Sequence, residues 1–147
     1  MGMTAQPSEK AAVVATIDPA DTPNGAATRD SDYIDLSKFG EVLFVFMTGT
    51  IDSTVDCSVR EAQDASGTGE QELKSATQLA ATKDNKQVVI NVKAEQLSPG
   101  YTHVRGRIAI AAGGTGTNGN AMVALAMSPR YGPASDDDVA DVDEIVT

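Results

Sequence analysis

The sequence predicts an all-β protein, an antiparallel β-sandwich or barrel of about six to eight strands. We expect an extended N-terminal arm before this body and an acidic C-terminal tail after it. Three observations carry the prediction. Several segments alternate apolar and polar residues with the period of two that half-buried strands show. Turn-forming residues separate these segments at short intervals. The net charge of −10 is concentrated at the two ends of the chain.

Charge divides the 147 residues into three parts. Residues 33–135 carry nine Lys/Arg against ten Asp/Glu, residues 1–32 carry two against five, and residues 136–147 hold six acids and no base. Domains most often contain roughly 100–150 residues. We therefore predict a β domain at 33–135, between a flexible N-terminal arm at 1–32 and an acidic tail at 136–147. The arm has few apolar residues to bury, so we expect it to order only on a partner or a neighbouring subunit.

The first predicted strands follow residue 32. Residues 33–36 form a short apolar segment, and a turn follows at 37–40. Six apolar residues stand at 42–47, and their length and bulk favour a central strand that is buried on both faces. Residues 54–61 alternate cleanly, which predicts a half-buried strand. Its apolar face carries Val55, Cys57 and Val59.

The middle of the chain contains a loop, an ambiguous stretch and a further strand. Residues 62–72 are polar and contain glycine, which indicates a loop. Residues 73–82 suit either one face of a helix or an irregular edge strand, and the neighbouring strands favour the second interpretation. A turn at Asp84-Asn85 precedes a strand at 86–93. That strand has Val88, Ile90 and Val92 on one face.

Two more strands complete the predicted body. Residues 102–111 alternate, with Val104, Gly106, Ile108 and Ile110 on one face and His103, Arg105, Arg107 and Ala109 on the other. Residues 113–119 are glycine-rich and predict a hairpin tip. Residues 121–127 form the last strand, which ends at Ser128-Pro129. The predicted core comprises Phe44, Phe46, Val55, Val59, Val88, Ile90, Ile108 and Leu125.

The residues indicate no reaction. Cys57 is the single cysteine, so it forms no intrachain disulfide and is interpreted as a small buried hydrophobe. The glycines of 113–119 lack the Gly-Lys-Ser/Thr ending of a phosphate-binding loop. The aspartates of the tail lack the spacing of a calcium-binding loop. We therefore predict no catalytic, metal-binding or cofactor-binding site, and a protein that is not an enzyme.

Composition also bears on partners and on the compartment. A negative chain with an acidic tail repels phosphate backbones, so we expect no direct binding of nucleic acid. No stretch reaches the ~18 continuous apolar residues of a membrane span. The N-terminus lacks the basic-then-apolar layout of a signal peptide, so we expect synthesis in a cytoplasm.

Two features suit docking on a partner. Val13, Val14 and Ile17 are the apolar residues of the predicted arm. Arg105 and Arg107 lie on the polar face of their strand and form a short positive stripe, which suits an acidic surface such as the C-terminal tail of a neighbouring copy. The alternative is that this stripe is merely exposed. We predict these five residues as partner-binding residues.

The order of the segments resembles that of a known group of proteins. A strand containing Tyr leads to an apolar strand that ends Thr-Gly-Thr-Ile-Asp, and an Ala-Ser-Gly-Thr-Gly loop follows. The Gln-Val-Val-Ile-Asn-Val and Gly-Tyr-Thr-His-Val-Arg strands come next, and the final segment ends Pro-Arg-Tyr-Gly-Pro-Ala. Over about residues 31–134, this resembles the capsid decoration (cement, head-stabilising) proteins of tailed phages and prophages.

That resemblance implies a structural function. A decoration protein binds the phage major capsid protein on the outer surface of the assembled capsid, often as a homo-oligomer, and stabilises the capsid against internal DNA pressure. It is made in the host cytoplasm and resides in the virion. The alternative is an immunoglobulin- or fibronectin-like binding or adhesion module, because residues 97–101 resemble the proline-glycine corner of such domains. The missing signal peptide, tryptophan and disulfide argue against this alternative.

Overall fold

The computed structural model describes residues 5–23, 26–114, 116–134, 137 and 140–146. The chain forms a sandwich of two antiparallel sheets, so the all-β prediction is confirmed. The described residues contain nine strands, slightly more than predicted. They are β1 (Ala11–Pro23), β2 (Ala27–Asp30), β3 (Ile34–Asp35), β4 (Phe39–Thr48), β5 (Val55–Ala62), β6 (Gln71–Ser75), β7 (Gln87–Lys93), β8 (His103–Ile110) and β9 (Thr117–Pro129). A four-residue helix, α1 (Pro7–Lys10), precedes β1, and a short 3-10 turn (Ala94–Gln96) follows β7.

The strands divide between the sheets in a simple way. The first sheet has the order β1-β9-β4-β7, and the second has the order β2-β8-β5-β6, with β3 also pairing with β8. The chain crosses from one sheet to the other at every connection between successive strands except those between β2 and β3 and between β5 and β6. Residues 73–82, left open between helix and strand, contain the end of β6 and an irregular stretch in which Leu79 bridges to Val55.

The core lies between the sheets and follows the period of two. On β4 the buried residues are Val42, Phe44 and Phe46, and the two phenyl rings stack with centroids 6.4 Å apart. On β8, Gly106 is a buried position that faces the first sheet. A Cβ at this position would lie 2.9 Å from Met122 Cε, closer than real Cβ contacts. Glycine in this strand therefore lets a large side chain of the opposite sheet approach the backbone.

Most of the predicted core residues are buried. Phe44, Phe46, Val55, Val59, Ile90 and Ile108 are buried, as predicted, and Val88 is half-buried against the core. Leu125 is a wrong prediction, because it lies on the outer face of the first sheet. The inward residues of β9 include Ala124 and Ala126, whose small side chains leave room beside Phe44 and Val42 in the ladder. The larger side chain of Leu125 therefore indicated the wrong face of β9 as the buried one.

The central strand β4 is also buried on one face only. It lies between β9 and β7, as a central strand should. Leu43 and Val45 are half-buried on its outer face, and Met47 is 39% exposed. The prediction of burial on both faces was wrong because a two-layer sandwich covers each sheet on one side.

Part of the predicted N-terminal arm belongs to the sandwich. Residues 11–23 form β1, which pairs with β9 from Ala11–Met127 to Pro23–Thr117, and residues 27–30 form β2. The register of β1 shifts between Val13 and Ala15 and again between Ile17 and Ala20. Such irregularities break the period of two, so this strand has no clear alternation in the sequence. Of the predicted tail, residues 136, 138, 139 and 147 lie outside the described residues.

Candidate interaction surfaces

The outer faces of the two sheets differ in chemistry. Within the described ranges, no group of three or more His, Cys, Asp or Glu side chains is placed to share a metal ion. No helix in those ranges is long and apolar enough to cross a membrane. Cys57 is buried, and burial raises the pKa of its thiol to about 12. The five residues predicted to bind a partner lie on strand β1 of the first sheet and strand β8 of the second sheet.

The second sheet carries an arginine cluster on its outer face. Arg60 on β5 stands directly opposite Arg105 on β8, and Arg107 lies two residues further along β8. Like charges directly opposite each other destabilise a sheet. The structure resolves this conflict with carboxylates supplied by β2 and by the loop before β6.

Asp30 and Glu70 are those carboxylates. Asp30 binds Arg107 through two hydrogen bonds, from Nε to Oδ1 at 2.6 Å and from Nη2 to Oδ2 at 2.9 Å. Asp30 Oδ2 also lies 3.0 Å from Arg105 Nη2. Glu70 lies between the guanidinium groups and ion-pairs with all three arginines of the cluster. The network therefore joins β2, β5 and β8 to the 62–70 loop.

Tyr33 completes this network. Its hydroxyl donates a hydrogen bond to Glu70, and its ring lies 4.6 Å from the Arg105 guanidinium carbon in a cation–π contact. Burial by itself would raise the pKa of the Glu70 carboxyl. The Tyr33 hydrogen bond and the neighbouring arginines outweigh burial and hold that pKa below its ordinary value. Burial and the bond to Glu70 raise the pKa of Tyr33 to about 12.

The predicted positive stripe is thus neutralised within the chain. Arg105 and Arg107 both ion-pair with Asp30 and Glu70, and Arg60 also lies 3.8 Å from Glu72. A bidentate, partly buried arginine is not a free cation for an acidic partner. The partner-binding role of Arg105 and Arg107 stays a prediction, but it now requires exchange of an internal ion pair.

The predicted arm residues lie in three different environments on β1. Ile17 is buried in the core, so it presents no surface to a partner. Val14 sits at the register shift and packs partly against the core. Val13 is half-buried on the outer face, and its backbone N–H donates to Asp137 Oδ1 of the C-terminal segment at 3.0 Å. Partner binding stays a prediction for Val13 and Val14.

The first sheet presents an outer apolar face that the sequence reasoning missed. Its members alternate with the buried residues of their strands, and all are partly or largely exposed. They are Val13, Leu43, Val45, Met47, Val89, Val123, Leu125 and Met127. The ladder places Leu125 between Val13 and Leu43, and Val45 between Val123 and Val89. These side chains therefore form one contiguous patch across four strands.

Polar residues border the outer apolar face at one end, and a depression continues it at the other. Glu41 and Lys93 are cross-strand neighbours beside Met127. Beyond Met47, a shallow depression of about 530 Å³ is lined in part by Pro19, Ala20 and Ala121. The sequence contains a signal for this face, because the unbroken apolar run at 42–47 makes both faces of β4 apolar and a two-layer sandwich covers only one of them.

Comparison with known proteins shows similarity in fold. No protein-family model and no curated protein sequence matches the chain. A chain in the cryo-EM atomic structure of broad bean stain virus is 13% identical with a TM-score of 0.52, over 90% of this chain and 94% of that one. The crystal structure of PirA matches with 9% identity and a TM-score of 0.44, over 74% of this chain and 90% of that one.

The structure of the Gx strain of infectious bursal disease virus is another match. It has 16% identity and a TM-score of 0.43, over 84% of this chain and 33% of that one. The match to broad bean stain virus shows that this chain shares its fold with a chain of a virus structure.

Proposed function

We propose that this protein is a structural protein of a tailed-phage virion, which binds the major capsid protein on the outer surface of the assembled capsid. There it would stabilise the capsid against internal DNA pressure, as the resemblance of residues 31–134 implies. The observation that carries the proposal is the outer apolar face. A charged chain that leaves eight apolar side chains together on one sheet face has a surface suited to a protein partner.

The size of the face favours a repeated contact. Neighbouring strands lie about 4.8 Å apart and alternate residues about 6.8 Å apart, so the patch covers roughly 300–400 Å². A stable interface usually buries about 800 Å² on each partner. A single copy would therefore bind weakly through this face alone. Repetition over a capsid lattice, or within a homo-oligomer, raises the avidity.

The contrast between the two outer faces supports binding to the capsid through the first sheet. The arginine cluster of the second sheet has its charges matched by carboxylates of the same chain. The first sheet has Glu41 and Lys93 at one border and an apolar surface beyond them. Burying apolar side chains stabilises a complex, whereas burying a matched ionic network offers little net gain. A chain of similar fold in a virus structure also supports a role in a particle.

The test is cosedimentation with capsids that have been stripped of the protein. Val89→Lys places a charge on the outer apolar face at edge strand β7, where the side chain is 53% exposed. Thr28→Lys is the matched control, because Thr28 is exposed on edge strand β2 of the second sheet. We expect Val89→Lys to weaken binding at least tenfold and Thr28→Lys to bind like wild type.

Two outcomes would contradict the proposal. Folded wild type that stays in the supernatant at saturating concentration would end the capsid hypothesis and favour a free-standing binding module. Equal loss of binding in both variants would show that the contact is not specific to the outer apolar face.

A further inference from the structure

Strand β7 is an edge of the first sheet, and its backbone shows which groups face away from that sheet. The Thr48 N–H donates to the Lys86 carbonyl at 2.9 Å, so the bonding groups of Lys86 face β4. Bonding groups alternate along an antiparallel ladder, and the β4–β7 register continues without a shift. The N–H and C=O groups of residues 87, 89, 91 and 93 therefore point outward.

The chain itself covers the second half of this edge. The Lys93 N–H donates to Gln96 Oε1 at 3.0 Å, and Lys74 Nζ donates to the Asn91 carbonyl at 2.6 Å. In the first half, at residues 87 and 89, no described residue bonds to the outward backbone groups. An open edge of this kind is a template for one more strand.

The C-terminal segment is held at the opposite edge of the same sheet. Asp141 Oδ2 accepts a hydrogen bond from the Thr16 hydroxyl of β1 at 2.6 Å. Beyond this contact the chain presents apolar side chains to solvent, because Ile145 is 46% exposed and Val146 is 83% exposed. Two apolar surfaces thus remain uncovered at the two edges, since Val89 on β7 is 53% exposed.

The two uncovered segments carry opposite charges. Lys83 and Lys86 lie at the start of β7, are exposed, and form no ion pair with a described residue. Asp143 and Glu144 precede Ile145, are exposed, and likewise have no ion-pair partner among the described residues. Opposite charges on neighbouring strands stabilise their pairing. The C-terminal segment is therefore complementary to the β7 edge in both charge and apolar character.

The C-terminal segment of a chain is too short to form a strand along its own β7. Strands β1 and β7 are separated by three strand spacings, about 14 Å. The six residues after Asp141 span at most about 20 Å when fully extended. The crossing would leave at most about 6 Å of chain to run along the edge. The β7 edge of a second copy carries no such restriction.

We propose that residues 142–146 of one copy add as a strand to the β7 edge of a second copy. The outward backbone groups of residues 87 and 89 bond to this strand, and its apolar side chains pack beside Val89. Asp143 and Glu144 then face the two lysines at the start of β7.

The contact joins two different surfaces of the same chain, so it is heterologous. Repetition of such a contact gives a closed ring or an open row of copies. The inference goes beyond the capsid role, because the association takes place in the free protein. It also places several outer apolar faces in one assembly, which raises avidity for a repeating partner.

The first test measures self-association of the free protein by sedimentation velocity over a series of concentrations. Removal of residues 142–147 keeps the Asp141 contact and should weaken association at least about tenfold. Val89→Pro removes an outward N–H, a change that edge strands tolerate, and should weaken association similarly. Val89→Thr keeps that N–H and the branched side chain, so it should associate like wild type. Melting temperatures close to that of wild type would show that each variant is folded.

The second test mixes the two weakened variants. The truncated protein keeps an intact β7 edge, and the Val89→Pro protein keeps an intact C-terminal segment. An equimolar mixture should therefore form a one-to-one complex, although each variant alone stays monomeric. Added salt should weaken this complex, because salt screens the charges of the two segments.

Three results would overturn the inference. They are wild type that stays monomeric at every concentration, association that the truncation does not change, and a mixture that forms no complex. The last two would indicate pairing between identical edges or through another surface. None of them affects the proposed function, which is measured with capsids. Wild type that associates but does not bind capsids would overturn the proposed function and support this inference.

Discussion

Ser98 binds the buried carboxylate of Glu61 through two hydrogen bonds. Its backbone N–H donates to Glu61 Oε2 at 2.9 Å, and its hydroxyl donates to Oε1 at 2.5 Å. Gln71 Nε2 adds a third bond to Oε1 at 2.6 Å. Glu61 is 1% exposed near the end of β5, so this carboxylate joins β5 to the start of β6 and to the loop before β8. Burial would raise its pKa, but these bonds outweigh burial and lower the pKa.

Removal of this carboxylate should destabilise the fold. Glu61→Ala removes the acceptor of the half-buried Ser98 N–H, whereas the exposed Gln71 amide keeps its hydrogen bond from Nε2 to Ser98 Oγ at 3.1 Å. Hydrogen bonds to charged groups contribute about 1.5–3 kcal/mol each in favourable cases, and unpaired buried donors add a cost. We expect a loss of about 2–4 kcal/mol in the free energy of unfolding, measured by urea denaturation. Glu95→Ala, at an exposed position, is the control and should change it by less than about 0.5 kcal/mol.

Acid should destabilise the protein through Glu61 and Glu70. Both carboxyls have a pKa below the ordinary value of about 4.3 in the folded state. The unfolded chain therefore binds more protons in this range. The stabilisation is complete above the ordinary pKa and is lost as the pH falls through the lowered folded values. Denaturation at a series of pH values should show stability falling below about pH 4.3.

The Glu70 contribution can be separated with a variant. Glu70→Gln keeps the shape of the side chain but removes the charge that faces three arginines. Its stability should fall less steeply between neutral and acid pH than that of wild type. An identical slope in the two proteins would show that Glu70 does not contribute to the acid sensitivity.

Ile108 tests the face of β8 that the alternation predicts. The side chain is 1% exposed and lies in the core between the sheets. Ile108→Ala should cost about 2–5 kcal/mol, from lost transfer free energy and a residual cavity. Val89→Ala, on an exposed position of β7, is the matched aliphatic control. A loss below about 0.5 kcal/mol for Ile108→Ala would contradict the buried position.

Limited trypsin digestion tests whether β1 and β2 belong to the folded body. The described residues before β3 offer Lys10, which is exposed in α1, and Arg29, which lies in β2. Arg29 donates to the Asp18 carbonyl at 2.6 Å and to the Asn120 carbonyl at 3.2 Å, so it ties β2 to β1 and β9. We expect rapid cleavage after Lys10 and slow cleavage after Arg29, detected by mass spectrometry.

If residues 1–32 formed a flexible arm, trypsin would cut after Lys10 and after Arg29 at similar rates. A truncation provides a second measurement. Removal of residues 1–23 deletes β1 and its buried Ala12, Ala15 and Ile17, so the melting temperature should fall sharply. Removal of residues 1–5 leaves α1 and β1 intact and should change it little.

The all-β class and the inward faces of β5, β7 and β8 can be predicted from the amino-acid sequence. In β5 and β8 the inner face is apolar and the outer face is mainly polar, and in β7 the outer face is polar except for Val89, so the alternation identifies the inner face. The turns between them are marked by Gly, Pro, Asn and Asp, whose backbone preferences are local. The buried positions of Val55, Val59 and Ile108 follow from these local properties.

Which apolar surface stays exposed depends instead on how the two sheets pack. Strand β4 is apolar on both faces, and the choice between its faces depends on where the second sheet packs. Strand β1 is recognised by its pairing with β9, because its register shifts hide the alternation. The arginines of β8 are neutralised by Asp30, 77 residues from Arg107, and by Glu70, 37 residues from it. Charge matching and burial between such distant residues depend on their distance in space, which a linear pattern does not contain.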